Sequence, residues 1–445
     1  MGGSYAGTMQ VTIRHSVLVL SAALVLAGAC TSGGPADGPA PLPTPRPTTP
    51  MPAVTERQLR QDLRELVRHI RTTHPDPWHD ISRGVFDGAV SALDERLGDL
   101  GSDAFMVEAM RLIALLGVRD GHSGIFPPEQ PGHLLPIRLY RFDDGVFVVD
   151  ATDDHAELVG AEVTRLAGLA IAELWSAVEP LVPRDNDQTR LARIPQYLTV
   201  PEVLHGLGVI DDPTAPVGLT VETGDGTATV DVEPIPASTY TTTFDVWNPL
   251  IPPALPSGPG AASFEHAGEF RWFERIEDAA YVGYHVTIGE TGDLARQILR
   301  AVSGGAERVV LDLRFNPGGN NTTYAPLLEA LQDPLVDRPG RLLVLIGRST
   351  FSAAGNLATE LDLSTSAVFV GETGGFAPDQ FGDPSTITLR NTGIRANVAT
   401  VSWRFDREGR DRLSIEPDLA VTISSEAYFA GRDPVFEAAL SYRPG

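Results

Sequence analysis

A serine stands where a short apolar run gives way to a helical pattern. The run is Leu342-Leu343-Val344-Leu345-Ile346, the junction is Arg348-Ser349-Thr350-Phe351-Ser352, and the helical pattern continues from Ala353. A hydroxyl at the rim of a buried strand can attack a carbonyl once a neighbouring base takes its proton, so Ser352 is a candidate nucleophile. The same position also fits a helix N-cap, a role that Thr350 or Ser349 can fill. All 34 basic side chains are arginines and the chain has no lysine, so the base must be sought among the histidines. His133, His205, His266 and His285 are candidates, but His122 follows the turn pair Asp120-Gly121 and lies off any apolar helical face. An imidazole near its ordinary pKa accepts and returns protons at neutral pH, which predicts an acid limb near about pH 6–7. Gly318 and Gly319 follow a second apolar run, Val309 to Leu313, and precede a helical pattern. Glycine lets backbone N–H groups converge closely on a developing oxyanion.

These residues need elements to hold them. Thr55 and Gln58 form a capping box ahead of an apolar face made by Leu59, Leu63, Leu66, Val67 and Ile70. Two further helical patterns carry Phe86, Val90, Leu93 and Leu97, then Phe105, Met106, Ala109, Met110 and Ile113. The methionines read as core filler. This gives a helical domain over 55–125. A mixed, β-rich middle region follows over 126–260, with short helical pieces interrupted at Pro180, Pro183, Pro195 and Pro201. From 261 to 445 strands and helices alternate: strands near 281–286, 309–313, 342–346 and 367–370, and helices near 291–302, 324–331 and 353–361. That pattern predicts a layered α/β core of βαβ units, its strands covered on both faces.

The N-terminus reads as an export signal. An apolar stretch over 16–29 is too short to span a bilayer and ends Leu26-Ala27-Gly28-Ala29-Cys30. It resembles the lipobox of bacterial lipoproteins. That resemblance implies a signal peptide over 1–29, lipid on Cys30, and anchorage at the outer face of a bacterial cell membrane. Residues 30–54 then form a proline-rich tether. Cys30 is the sole cysteine, so the mature domain has no internal disulfide and no thiolate chemistry. A net charge of −24 argues against nucleic acid as a partner. No cofactor is expected, and no metal, since the chain has no HExxH and prolines break the spacing around His74, Asp76 and His79.

Several stretches together resemble the S41 peptidase family of C-terminal processing and tricorn-like proteases. They are Asp120-Gly121-His122-Ser123, Leu311-Asp312-Leu313-Arg314-Phe315-Asn316-Pro317-Gly318-Gly319, Thr350-Phe351-Ser352-Ala353-Ala354 and Gly371-Glu372-Thr373-Gly374-Gly375. The tail Ile415-Glu416-Pro417-Asp418 with Gly431-Arg432-Asp433-Pro434 extends the likeness. The resemblance implies a crotonase-like catalytic core and a serine peptidase acting on peptide or protein substrates. It implies Ser352 as nucleophile and His122 as base, because the Ser-Lys branch is closed to a chain without lysine; Gly375 and Phe376 stand where that branch has it. It places the Ala353 N–H with Gly318 and Gly319 at the oxyanion hole. The acid of the triad falls on Asp411, six residues before Pro417, with Glu372 and Asp383 as alternatives. Gly355 stands where many members have glutamate, and the middle region holds the place of a PDZ-like module without a clear carboxylate-binding loop. The competing reading is an inactive relative that binds peptides or small apolar ligands.

Overall fold

In the computed structural model, residues 54–127, 132–224, 226–239, 266, 269–406 and 410–443 are described. The expected signal, Cys30 and most of the tether lie outside them. The described residues belong to one compact unit.

Helix α1 (Glu56–Thr73) starts as its sequence predicts. The Thr55 hydroxyl accepts from the Gln58 N–H at 3.4 Å, and the Gln58 side chain accepts from the Thr55 N–H at 2.9 Å. Its apolar face packs with α2 (Arg83–Arg96) and α3 (Ser102–Ala114), where Met106 and Met110 are buried. That core continues into the middle region. There β1 (Ile137–Arg141), β2 (Val146–Ala151), β3 (Glu162–Leu166), β4 (Val217–Thr223) and β5 (Gly226–Val232) lie in sequence order in one antiparallel sheet. Helices α4 (Ile171–Val178), α5 (Asp187–Leu198) and α6 (Pro201–Gly206) complete this part. The expected break at Pro195 does not occur: α5 runs through it. Asn186 caps the helix, accepting from the Gln188 and Thr189 N–H groups, and the buried face Thr189, Arg193, Ile194, Tyr197 and Leu198 outweighs one lost backbone bond.

The third part is a layered α/β unit. Its sheet carries β6 (Arg271–Ile276), β7 (Ala279–Tyr284), β8 (Arg308–Asp312), β9 (Leu342–Ile346), β10 (Val368–Gly371) and a short outer strand, Leu419–Ala420. All pairs from β7 outward are parallel, and β6 is antiparallel at the other edge. Both faces are covered, as the apolar runs predict. Val309, Leu311, Leu342 and Val344 share one core with α7 (Gly292–Ser303), α8 (Ala325–Leu331) and α9 (Ser352–Ser364). Val310, Leu343 and Leu345 pack on the other side with α11 (Pro434–Ser441), which follows the short α10 (Ser425–Phe429). Two ribbons lie between α9 and the outer strand in sequence. Strand β11 (Asp379–Gly382) pairs with β14 (Val401–Arg404), and β12 (Ser385–Thr388) with β13 (Arg395–Val398). The turn between β12 and β13 is fastened to α1 by Asp62, a buried carboxylate that accepts from Asn391 and Thr392.

Two motifs turn out to be one structural joint. Arg314, at the end of β8, is buried between Asp312 and Asp433, with both carboxylates within 2.7 Å of its guanidinium. Asp433 also caps α11. Arg314 thus pairs with carboxylates at the strand end.

Candidate active site

Strand β9 ends in the loop 347–351, which is stapled to the loop after β8. The Thr350 hydroxyl donates to the Leu313 carbonyl at 2.8 Å, and the Phe351 N–H donates to the Asn316 carbonyl at 2.9 Å. Held this way, Ser352 enters α9 with φ +52°, in the left-handed region that a side chain other than glycine adopts only under constraint. The cap position belongs to Phe351, and no side chain caps α9. The Ser352 hydroxyl instead lies 2.9 Å from His122 Nε2, across 230 residues of chain. That contact, with no side chain capping α9, sets the hydroxyl against an imidazole and not against the helix end. Both side chains reach the surface in part. The other candidate histidines are engaged elsewhere: His133 with Glu202, His205 with Asp103, His266 with Glu269, and His285 buried against Trp272.

The His122 ring stacks on Phe351 at 4.4 Å between centroids. Arg193, from α5, lies over the same phenyl ring at 4.5 Å. Burial, and secondarily the Arg193 charge, lower the His122 pKa to about 4, against the opposing pull of Asp120 and of the Phe381 carbonyl. The imidazole is therefore neutral at rest and able to accept a proton. Its Nδ1 is buried near the Phe381 carbonyl, without a hydrogen bond of ordinary geometry among the described residues.

Gly318 is required by space. Its φ is +106°, and a Cβ there would stand 2.5 Å from Ser352 Cβ and 2.9 Å from the Ala353 nitrogen. Its N–H, however, already donates to Asn316 Oδ1 at 2.9 Å. The expectation of Gly318 as an oxyanion donor is corrected on that ground: it is the spacer that lets the two loops meet. Ala353 lies in the first turn of α9, where N–H groups have no partner within the helix, and Gly319 (φ +140°) is set by bonds on either side of it to Thr287. Neither of these two N–H groups has a hydrogen-bond partner among the described residues.

Solved structures with this architecture include mature CPAF complexed with lactacystin, at 12% identity over 86% of this chain and 97% of that one, TM-score 0.58. Mature CPAF alone matches at 13% identity, 86% and 96% coverage, TM-score 0.58. The fold is that of CPAF. The photosystem II D1 C-terminal processing protease matches more loosely, with 14% identity, 84% and 95% coverage and TM-score 0.40. No protein-family model matches the sequence, and no curated protein sequence does.

The departure at Gly355 has a structural counterpart within this fold. A Cβ there would lie 2.5 Å from the Phe376 ring, and Phe376 is fully buried. An aromatic ring thus fills the space behind the first turn of α9. Nearby, Gln380 donates to Asn356 Oδ1 at 2.9 Å and reaches the Ser352 carbonyl at 3.4 Å.

Neither expected acid touches His122. The Asp411 side chain is 88% exposed and pairs with Arg119 at 2.7 Å. Glu372 is committed to Arg348, whose guanidinium also donates to the Arg141 carbonyl of the middle region. Asp383, the remaining alternative, lies in the turn after β11, where its carbonyl accepts from Thr400. Of the charges around the histidine, Asp120 stands in its own motif, while Asp185 and Arg193 were not singled out from the sequence. Asp185 accepts from the Gly121 N–H at 2.7 Å, and Arg193 donates to the Gly121 carbonyl at 2.6 Å. Gly121, the residue preceding His122, is thus held at both its N–H and its carbonyl. Burial raises the Asp185 pKa to about 7. Asp120 is buried with His74, 3.2 Å away. Asn186 adds bonds from its amide to the carbonyls of Gly374, Phe376 and Leu413. The available signal was a polar run, Arg184-Asp185-Asn186-Asp187, entering a helix whose other face is apolar.

Asp411→Asn therefore leaves kcat within about threefold of wild type, because an exposed carboxylate contributes little. Glu372→Gln acts on stability: it strands the buried Arg348 charge and costs roughly 3 kcal/mol. Steady-state kinetics beside thermal melts check both. A large kcat loss in Asp411→Asn with unchanged melting would restore it as the acid.

Proposed function

We propose that this protein is a serine peptidase of S41-like kind, with a crotonase-like core, hydrolysing peptide bonds through Ser352 and His122. The carrying observation is the 2.9 Å contact between Ser352 Oγ and His122 Nε2, with the serine held at φ +52° over a helix N-terminus. In this reading His122 takes the hydroxyl proton as Oγ bonds to the scissile carbonyl carbon. The tetrahedral oxyanion forms toward the Gly319 and Ala353 N–H groups. His122 then gives the proton to the leaving amine as the C–N bond breaks. Water repeats the sequence to release the acyl group.

The shared fold with CPAF supports the same reading. The lipobox-like Cys30 and the proline-rich tether support a lipid-anchored enzyme at the outer face of a bacterial membrane, acting on extracytoplasmic peptides or proteins. Among the described residues no helix is long and apolar enough to cross a membrane. The alternative, an inactive binding protein, draws on one observation: no described carboxylate contacts His122 Nδ1.

Treatment with a fluorophosphonate followed by peptide mapping tests the proposal. The expected result is a single phosphonyl adduct on Ser352 and time-dependent cleavage of end-blocked peptides. Absence of both from folded protein overturns it.

A further inference from the structure

The β11–β14 ribbon turns one face to the reacting pair. Residues directly opposed in an antiparallel pair share a face, and Gln380 is opposed to Trp403 while Gly382 is opposed to Val401. Gln380 reaches the Ser352 carbonyl at 3.4 Å and Asn356 at 2.9 Å, which fixes that face toward the nucleophile. Gly382 approaches the base: a Cβ built there would lie 3.8 Å from His122 Cε1. The same Cβ would lie 3.0 Å from Trp403 Cδ1 and Nε1, so the indole occupies the space that Gly382 leaves open. Trp403 is only half-buried and stacks on Phe405, also half-buried, at 5.9 Å and 25°. The opposite face carries different chemistry. Arg404 and Asp379 pair there, and Phe381 packs against His74 and His79.

We infer that Trp403, backed by Phe405, is an aromatic shelf of the substrate cleft that selects a large apolar side chain, aromatic above all, beside the scissile bond. This inference rests on the peptidase reading and adds the substrate class to it. A half-exposed indole beside a base retains apolar surface in water, and covering that surface with a substrate ring gains both burial and ring stacking. Polar and acidic side chains gain neither.

The test uses end-blocked hexapeptides that differ at one position, Phe against Ser, scanned across the residues on both sides of the cleaved bond. In the wild type, Phe at one flanking position raises kcat/KM by about tenfold or more. Trp403→Ala reduces that ratio to near unity, while Trp403→Phe keeps most of it; melting temperatures show whether both variants fold. If Trp403→Ala does not fold, Phe405→Ala serves instead and is expected to lower the ratio partly. An unchanged Phe-to-Ser ratio in a folded Trp403→Ala or Phe405→Ala overturns the shelf. Binding of fluorescently tagged hexapeptides to Ser352→Ala separates the two proposals. A Phe preference in binding that disappears with Trp403→Ala upholds the shelf even if the wild type cleaves nothing, in which case the peptidase reading alone has failed. Equal binding of Phe and Ser peptides to Ser352→Ala overturns the shelf whatever the wild type cleaves.

Discussion

Ser352→Ala abolishes turnover, with kcat falling by at least ~10⁴-fold, and the variant is not labelled by a fluorophosphonate. The size of the effect follows from the chemistry, since no other described hydroxyl is hydrogen-bonded to His122. The variant should also fold. Ser352 does not cap α9, and its hydroxyl has one described partner, the His122 ring. The left-handed turn is imposed by the loop bonds from Thr350 and Phe351, so an alanine inherits a strain of order 1–3 kcal/mol that the surroundings already hold. KM should change little, because the hydroxyl makes its bond to the substrate carbonyl only during reaction. Comparing kcat, labelling and melting temperature in one preparation checks the point. Substantial residual hydrolysis by the purified variant would mean that another group is the nucleophile.

Local signals in the sequence carried well into the structure, and signals that depend on distant chain carried poorly. The capping box at Thr55 and Gln58 is a contact three residues long, and it formed as read. The apolar runs of β8 and β9 are buried throughout because a parallel strand needs no partner identity to announce that both its faces are covered. Ser352 and His122 were each singled out from their flanking residues, and the fold brings the two side chains to 2.9 Å. The acid was not. Asp411 was placed by counting residues back from Pro417, but Arg119, just ahead of His122 in the chain, draws that carboxylate outward instead. Asp185 and Arg193 escaped notice for the converse reason. Charged residues just ahead of and within an amphipathic helix ordinarily face water, and only the packing of Phe351 and the Gly374–Phe376 turn against α5 buries them. Gly318 was recognised as a close-approach glycine, yet which N–H groups stay available depended on Asn316, whose side chain turns back on its own loop. Asp62 shows the same limit: it interrupts the apolar face of α1 for the sake of a turn more than 300 residues away.

His122→Ala lowers kcat by about 10⁴-fold with a much smaller change in KM, because proton transfer is needed in the transition state and not for binding. The wild-type pH profile carries the finer information. From composition alone an imidazole near 6.5 predicts loss of activity below about pH 6–7. In the structure burial and Arg193 hold the His122 pKa at about 4, so the acid limb of kcat/KM moves down to that region, and the enzyme remains active at pH 5. The sign follows from the neutral ring being the base: a lowered pKa extends the range over which it can accept a proton. A second, shallower rise is expected near pH 7, where Asp185 ionises. Its carboxylate holds the N–H of Gly121, the residue preceding His122, and its charge favours the imidazolium that forms during reaction. The same ionisation works against the fold. A carboxyl whose pKa is raised on folding contributes stability that is full below about pH 4 and is lost as pH rises through about 7. Asp185→Asn should therefore remove the upper step of the rate profile and flatten the decline in melting temperature between about pH 4 and 7 that this group causes, while leaving the lower limb in place. A single acid limb near pH 6.5 would show that a carboxylate reaches His122 Nδ1 in solution, and would return the third member of the triad to a side chain in direct contact with the ring.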